Sequence, residues 1–164
     1  MKTIDLNKLQ AGDVLICVGK SELSKTILKA TNGTYSHTAQ VIDNKNGKTV
    51  IFEAQADGCD EIDFHDWLKK WDYDFIVFRN PNENARNLSN WFLQFKGVKY
   101  DKKGFAVGLL KSLFRFKRMS EKYRNNGYFW CSELTMKPYV ENPEQYTPQK
   151  VYEWLIANNW IEIK

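Results

Sequence analysis

His37-Thr38-Ala39-Gln40-Val41-Ile42-Asp43-Asn44-Lys45-Asn46-Gly47-Lys48-Thr49-Val50-Ile51-Phe52-Glu53-Ala54 is the stretch that decides how this chain folds. Its two halves are apolar and β-branched. The polar Asn44-Lys45-Asn46-Gly47 between them ends in an Asn-Gly pair, which favours a turn reversing the chain. The stretch therefore reads as an antiparallel hairpin, 37–43 against 49–54. With the turn at 44–48, Glu53 falls close to opposite His37 to Gln40, and alternation can put its carboxylate on the imidazole's face. Gln55, one side-chain repeat further on, is a second candidate for that place.

Working outward, Gly12-Asp13 opens into the buried strand Val14-Leu15-Ile16-Cys17-Val18. Residues 21–30 have helical spacing, with Leu23, Ile27 and Leu28 on one side, and Asn32-Gly33 ends them. Asp63 is placed to cap a short helix running through Lys70, and Asp74 to Arg79 is another strand. Asn80-Pro81 is expected to start a helix carrying Ala85, Leu88, Trp91, Phe92 and Phe95 and stopped by Gly97. A further helix is expected over Phe105 to Phe116. Thr147-Pro148 opens the last one, and Trp160-Ile161-Glu162-Ile163 closes the chain as a strand. Strands dominate the first half and helices the second, with connections too short for a βαβ series. The pattern is α+β in a single domain over 1–164: an antiparallel sheet with helices packed on one side.

With 24 basic and 20 acidic residues the chain carries a net charge of +4, too small to imply nucleic acid. No apolar run approaches the roughly 20 residues of a membrane helix and the first residues lack an apolar leader, so a cytoplasmic protein without a transmembrane segment is expected. Cys17, Cys59 and Cys131 are an odd number, which argues against a disulfide scaffold. Cys17 alternates within a strand and reads as core. Cys59, in Asp57-Gly58-Cys59-Asp60, reads as an exposed loop thiol, and His65 as a helix-surface residue. The two histidines are not spaced like helical metal ligands, so no metal is expected. The cluster Lys111, Arg115, Lys117 and Arg118 reads as a solvated helix face.

Cys131 follows Gly127-Tyr128-Phe129-Trp130 and precedes Ser132-Glu133-Leu134-Thr135-Met136, a plausible helix start. There the unpaired N–H groups and the positive dipole end favour a thiolate, and the same groups suit an oxyanion. His37, at the head of an apolar run, is placed near a strand end, where a general base is usable. Taken alone, such a cysteine more often fills space and such a histidine is more often structural. Together they suggest a nucleophile and its base, with a carboxylate to orient the ring.

Gly12-Asp13-Val14-Leu15, Tyr35-Ser36-His37-Thr38-Ala39-Gln40-Val41-Ile42, Phe52-Glu53-Ala54, Tyr100-Asp101 and Trp130-Cys131-Ser132-Glu133-Leu134 together resemble the permuted papain-like amidases of the YiiX and YaeF type, within the NlpC-type cysteine peptidase superfamily. The motifs stand in the family's order and cover most of the chain. The resemblance implies a papain-like fold with a small antiparallel barrel-like sheet. It implies Cys131 as nucleophile, His37 as base and Glu53 as the residue orienting the base, with Tyr35, Trp130 and Ser132 near the substrate. Two departures stand out. The usual glycine-containing stretch after the histidine is Thr38-Ala39-Gln40 here, and Pro138 should kink or stop the nucleophile helix early, holding Lys137 out of helical geometry.

The expected activity is cleavage of an amide or related acyl bond in a small peptide, amide or lipid-like substrate, without metal or organic cofactor. A lipid or thioester acyl hydrolase or acyltransferase using the same residues, and a non-catalytic binding module on the same fold, are the alternatives.

Overall fold

The structure, a computed structural model, describes residues 4–45, 48–82, 85–104, 106 and 127–164. Among these, six strands form one sheet: β1 (Val14–Gly19), β2 (His37–Lys45), β3 (Lys48–Gln55), β4 (Gly58–Asp63), β5 (Tyr73–Arg79) and β6 (Ile161–Ile163). The order is β4-β3-β2-β1-β5-β6 and each neighbouring pair is antiparallel. With β4 and β6 as its two edges the sheet is open, which corrects the expected barrel-like closure.

The sequence reading passes over β4 because Gly58-Cys59-Asp60-Glu61-Ile62-Asp63 has few apolar residues and no clear alternation. Pairing with β3 makes it a strand, and an edge strand with water on one side tolerates the charged Asp60 and Glu61. Gly58 is required at its start: φ is +131°, and a Cβ there would lie 2.9 Å from the Val98 carbonyl oxygen. Cys59 is consequently buried at 1% exposure, not an exposed loop thiol.

Both faces of the sheet are covered. Leu15, Cys17, Ala39, Val41, Ile51 and Val77 pack against Leu9 and against Phe64 and Trp67 of α2 (Phe64–Lys70). The opposite face carries Ile42, Phe52, Ala54 and Cys59 against Leu88 and Phe92 of α3 (Ala85–Leu93) and Leu134 of α4 (Cys131–Met136). On that face Val14, Ile16 and Phe78 meet Met136 and, from α5 (Pro148–Ala157), Val151 and Leu155. Helices on one side only is therefore corrected. The unbroken apolar run of β1 carries the signal, since a strand buried on both faces does not alternate.

The helix ends follow the sequence where a capping group is present. Ser21 accepts from the Ser24 N–H to open α1 (Glu22–Thr31), and Asn32 closes it in the left-handed region at φ 49°. Asp63 caps α2 through the His65 N–H at 2.9 Å, and His65 itself is exposed. Thr147 caps α5, with Pro148 at its first position. Asn80-Pro81 behaves otherwise: the Asn80 side chain accepts from the Asn82 N–H at 2.9 Å, forming a turn at 81–82, and the described helix α3 spans Ala85–Leu93. α4 stops at Met136, ahead of Pro138 as expected, although Lys137 keeps helical angles (φ −57°, ψ −34°).

The expected helix over Phe105 to Phe116 and the basic cluster from Lys111 to Arg118 lie outside the described residues, apart from Ala106. Among the described residues no helix is long and apolar enough to cross a membrane.

Candidate active site

An irregularity in the hairpin places the carboxylate. Near its turn β2 and β3 pair as Lys45↔Lys48, Asn44↔Thr49 and Asp43↔Val50; further in they pair as Val41↔Ile51 and Gln40↔Phe52. Ile42 is the extra residue of a β-bulge. Residues directly opposite each other share a face, so continuing the outer register would set Glu53 opposite Gln40, on the face away from His37. The bulge moves it one step, opposite Ala39, and onto the histidine's face. Neighbouring elements hold the bulge in place. The Ile42 carbonyl accepts from the Ser89 hydroxyl of α3, and Val41 exchanges backbone bonds with Gly12 and Asp13, each of 2.8 Å.

Glu53 Oε2 lies 2.7 Å from His37 Nε2 and also accepts from Trp67 Nε1 at 2.9 Å, while Oε1 accepts from Trp71 Nε1 at 3.0 Å. Trp67 in α2 and Trp71 at its C-cap are four residues apart, which turns both indoles toward the sheet. Tyr73 of β5 stacks on the imidazole, with ring centres 5.2 Å apart and 18° between planes. Gln55 Nε2 lies 3.3 Å from His37 Nε2 and 3.4 Å from the Tyr73 hydroxyl. Glu53 thus takes the close contact with the ring, and Gln55 flanks it. Burial pushes the Glu53 carboxyl up, but the hydrogen bond and charge of His37, followed by Trp67 and Gln55, outweigh it and hold the pKa below the ordinary carboxylate value.

Cys131 is the first residue of α4 and is 4% exposed. Burial opposes its ionisation; the charge and hydrogen bond of His37, followed by the backbone of Thr38 and of Ser132, prevail and lower its pKa from the ordinary 9.0. For His37 burial acts downward, but Tyr73, the charge and hydrogen bond of Cys131, and the Glu53 hydrogen bond raise its pKa well above 6.5. The two directions favour the ionised form of each group, as in a thiolate–imidazolium pair. Because Glu53 occupies Nε2, Nδ1 is the ring nitrogen left for the sulfur. The other thiols behave oppositely: burial pushes Cys17 up, and burial with the charge of Glu133 pushes Cys59 up to about 12.

The structure brings Cys131, His37 and Glu53 together, and it gives the three expected substrate contacts other surroundings. Tyr35 packs on Tyr152, with ring centres 4.7 Å apart. The Ser132 hydroxyl is buried and donates to the Tyr146 carbonyl at 2.7 Å, and Trp130 Nε1 reaches the same oxygen at 3.4 Å. Ser132 and Trp130 therefore anchor the start of α4 through their side chains.

Sequence reasoning missed Trp67, Trp71 and Tyr73. The four-residue Trp spacing was the available signal, hidden because such a pair also reads as plain core. Tyr100 lies nearby: its backbone bridges Phe129, and burial, followed by the Cys131 charge, raises its phenol well above 10.0. Among the described residues no group of three His, Cys, Asp or Glu side chains is placed to hold a metal ion.

Trp71→Phe keeps an aromatic side chain and removes the donor to Glu53 Oε1 together with part of the indole's contact area. A hydrogen bond to a charged group contributes about 1.5–3 kcal/mol. Urea unfolding of this variant should show a loss of at least that size, with Cys131 still the fastest thiol.

No family model matches the sequence, and no curated protein matches it. Among solved structures the chain is similar to the metalloprotein YiiX from Escherichia coli O157:H7, with 22% identity and a TM-score of 0.48 over 79% of this chain and 64% of that one. It thus spans less than two thirds of that protein's length.

Proposed function

We propose that the protein is a cysteine hydrolase of the permuted papain-like, NlpC-type class, cleaving an amide or related acyl bond. The observation that carries this reading is the buried Glu53 on His37 Nε2, which fixes the ring and leaves Nδ1 for a cysteine whose pKa is lowered. The Cys131 thiolate attacks the carbonyl carbon and forms a C–S bond. The N–H groups opening α4 are donors for the resulting oxyanion. His37 Nδ1 gives its proton to the leaving amine as the C–N bond breaks, leaving an acyl thioester. Water then loses a proton to Nδ1 and adds to the thioester. The acid departs and the thiolate is restored. Every step is carried by side chains, backbone donors and water. The three free cysteines suit a reducing compartment such as the cytoplasm.

Incubation with peptide amides and with fatty acyl esters, followed by mass spectrometry, tests the substrate class. Amide cleavage with an acyl adduct on Cys131 is the expected outcome. An adduct formed from the esters alone would replace the amidase reading with a lipid acyl hydrolase or transferase. No adduct and no turnover with either probe would favour a binding module.

A further inference from the structure

The side chains of Thr38 and Gln40, in the stretch that departs from the family's glycine-containing pattern, reach α4. Thr38 Oγ1 lies 2.7 Å from Thr135 Oγ1, Gln40 Nε2 donates to that same oxygen, and the Thr135 hydroxyl donates to the Cys131 carbonyl at 3.0 Å. Thr38, Gln40 and Thr135 are each 1% exposed. The donor directions are forced. An amide NH2 only donates and a backbone carbonyl only accepts, so the single Thr135 hydrogen goes to Cys131 and the Thr38 hydroxyl donates inward. Thr38 therefore acts on the cysteine through Thr135 and the Cys131 carbonyl. Such a network is stabilising only when its members are satisfied, and Gln40 Oε1 is buried without a partner. That open acceptor is a cost retained at the seam between β2 and α4.

We propose that Thr135 is a positioning residue for the cysteine: held by Thr38 and Gln40, its hydroxyl locks the first turn of α4 onto β2, keeping the sulfur at the His37 ring. This rests on Cys131 being the nucleophile. It also gives the altered Thr38-Ala39-Gln40 stretch a function of its own.

The test is the pH dependence of Cys131 alkylation by iodoacetamide in the full chain, for wild type, Thr135→Val and Thr135→Ser. Valine keeps the shape without the hydroxyl, and serine keeps the hydroxyl without the methyl. In Thr135→Val the midpoint should rise by about one unit and alkylation on the acid limb should fall roughly tenfold. In Thr135→Ser both should return to within about twofold of wild type. Wild-type behaviour in the valine variant, or equal slowing in both variants, would overturn the proposal. If circular dichroism shows Thr135→Val unfolded, Thr38→Val takes its place. A smaller shift in the same direction is then expected, and no shift would sink the idea. The readout needs no substrate. Shifted alkylation without any acyl turnover in wild type would therefore overturn the hydrolase reading and keep the positioning role. Turnover with unshifted alkylation would do the reverse.

Discussion

Cys131→Ala should abolish acyl turnover, by roughly 10⁴-fold or more, and should remove the protein's fast-reacting thiol. Iodoacetamide reacts with thiolate, so rate follows ionisation and access. Cys17 and Cys59 are at most 1% exposed and both are pushed up, whereas the Cys131 thiol is lowered. At neutral pH one equivalent should label quickly in wild type, and mass mapping should place it on Cys131. In the variant the rate should drop by roughly 10²-fold or more. The two groups of the pair separate by pH. Alkylation should rise through a midpoint below 9.0 and then stay flat, because the thiolate persists after the imidazolium loses its proton. Turnover should instead fall again as pH rises through the raised pKa of His37, since the leaving amine then lacks its proton donor. Rapid labelling at Cys59 instead would remove the basis for the nucleophile.

The same residues show how far sequence reading reaches. The hairpin, the caps at Ser21, Asp63 and Thr147, and the candidates Cys131, His37 and Glu53 were all legible, because each depends on local pattern or residue chemistry. The face of Glu53 was read as the structure has it, but not the means. A one-residue bulge at Ile42 decides it, and a bulge changes side-chain parity without changing composition. β4 was illegible for a related reason: as an edge strand it answers to the pairing offered by β3 more than to its own apolar content. At Pro81 a general preference for the first helical turn lost to the Asn80 side chain, which closes a turn on Asn82. The two indoles on Glu53 come from an element later in the chain than either strand of the hairpin, and only the packing of α2 on the sheet reveals them.

Replacing Glu53 should have the largest effect on stability together with a large effect on rate. The carboxylate is 4% exposed and serves three donors, the His37 ring and the indoles of Trp67 and Trp71. Glu53→Ala leaves a cationic ring buried without its counter-charge, a loss of about 3–5 kcal/mol. Glu53→Gln keeps the shape, but its amide turns an NH2 toward a site that supplies only donors, so one contact becomes a clash of like groups. The pH dependence has a definite sign. The folded pKa of Glu53 is depressed, so its contribution is present above its ordinary 4.5 and disappears as pH falls through the folded value. The folded pKa of His37 is raised, so its contribution is complete below 6.5 and disappears as pH rises through the folded value. The stability gap between wild type and Glu53→Gln should therefore be widest between pH 4.5 and 6.5 and should narrow on both sides. Turnover should fall roughly 10²–10⁴-fold, because the ring loses the partner that fixes its orientation and supports its charge. Urea titrations across that range measure the gap directly. A gap that is flat with pH, or absent, would show that the carboxylate neither ionises in place nor supports the imidazolium, and the triad would reduce to a packing arrangement.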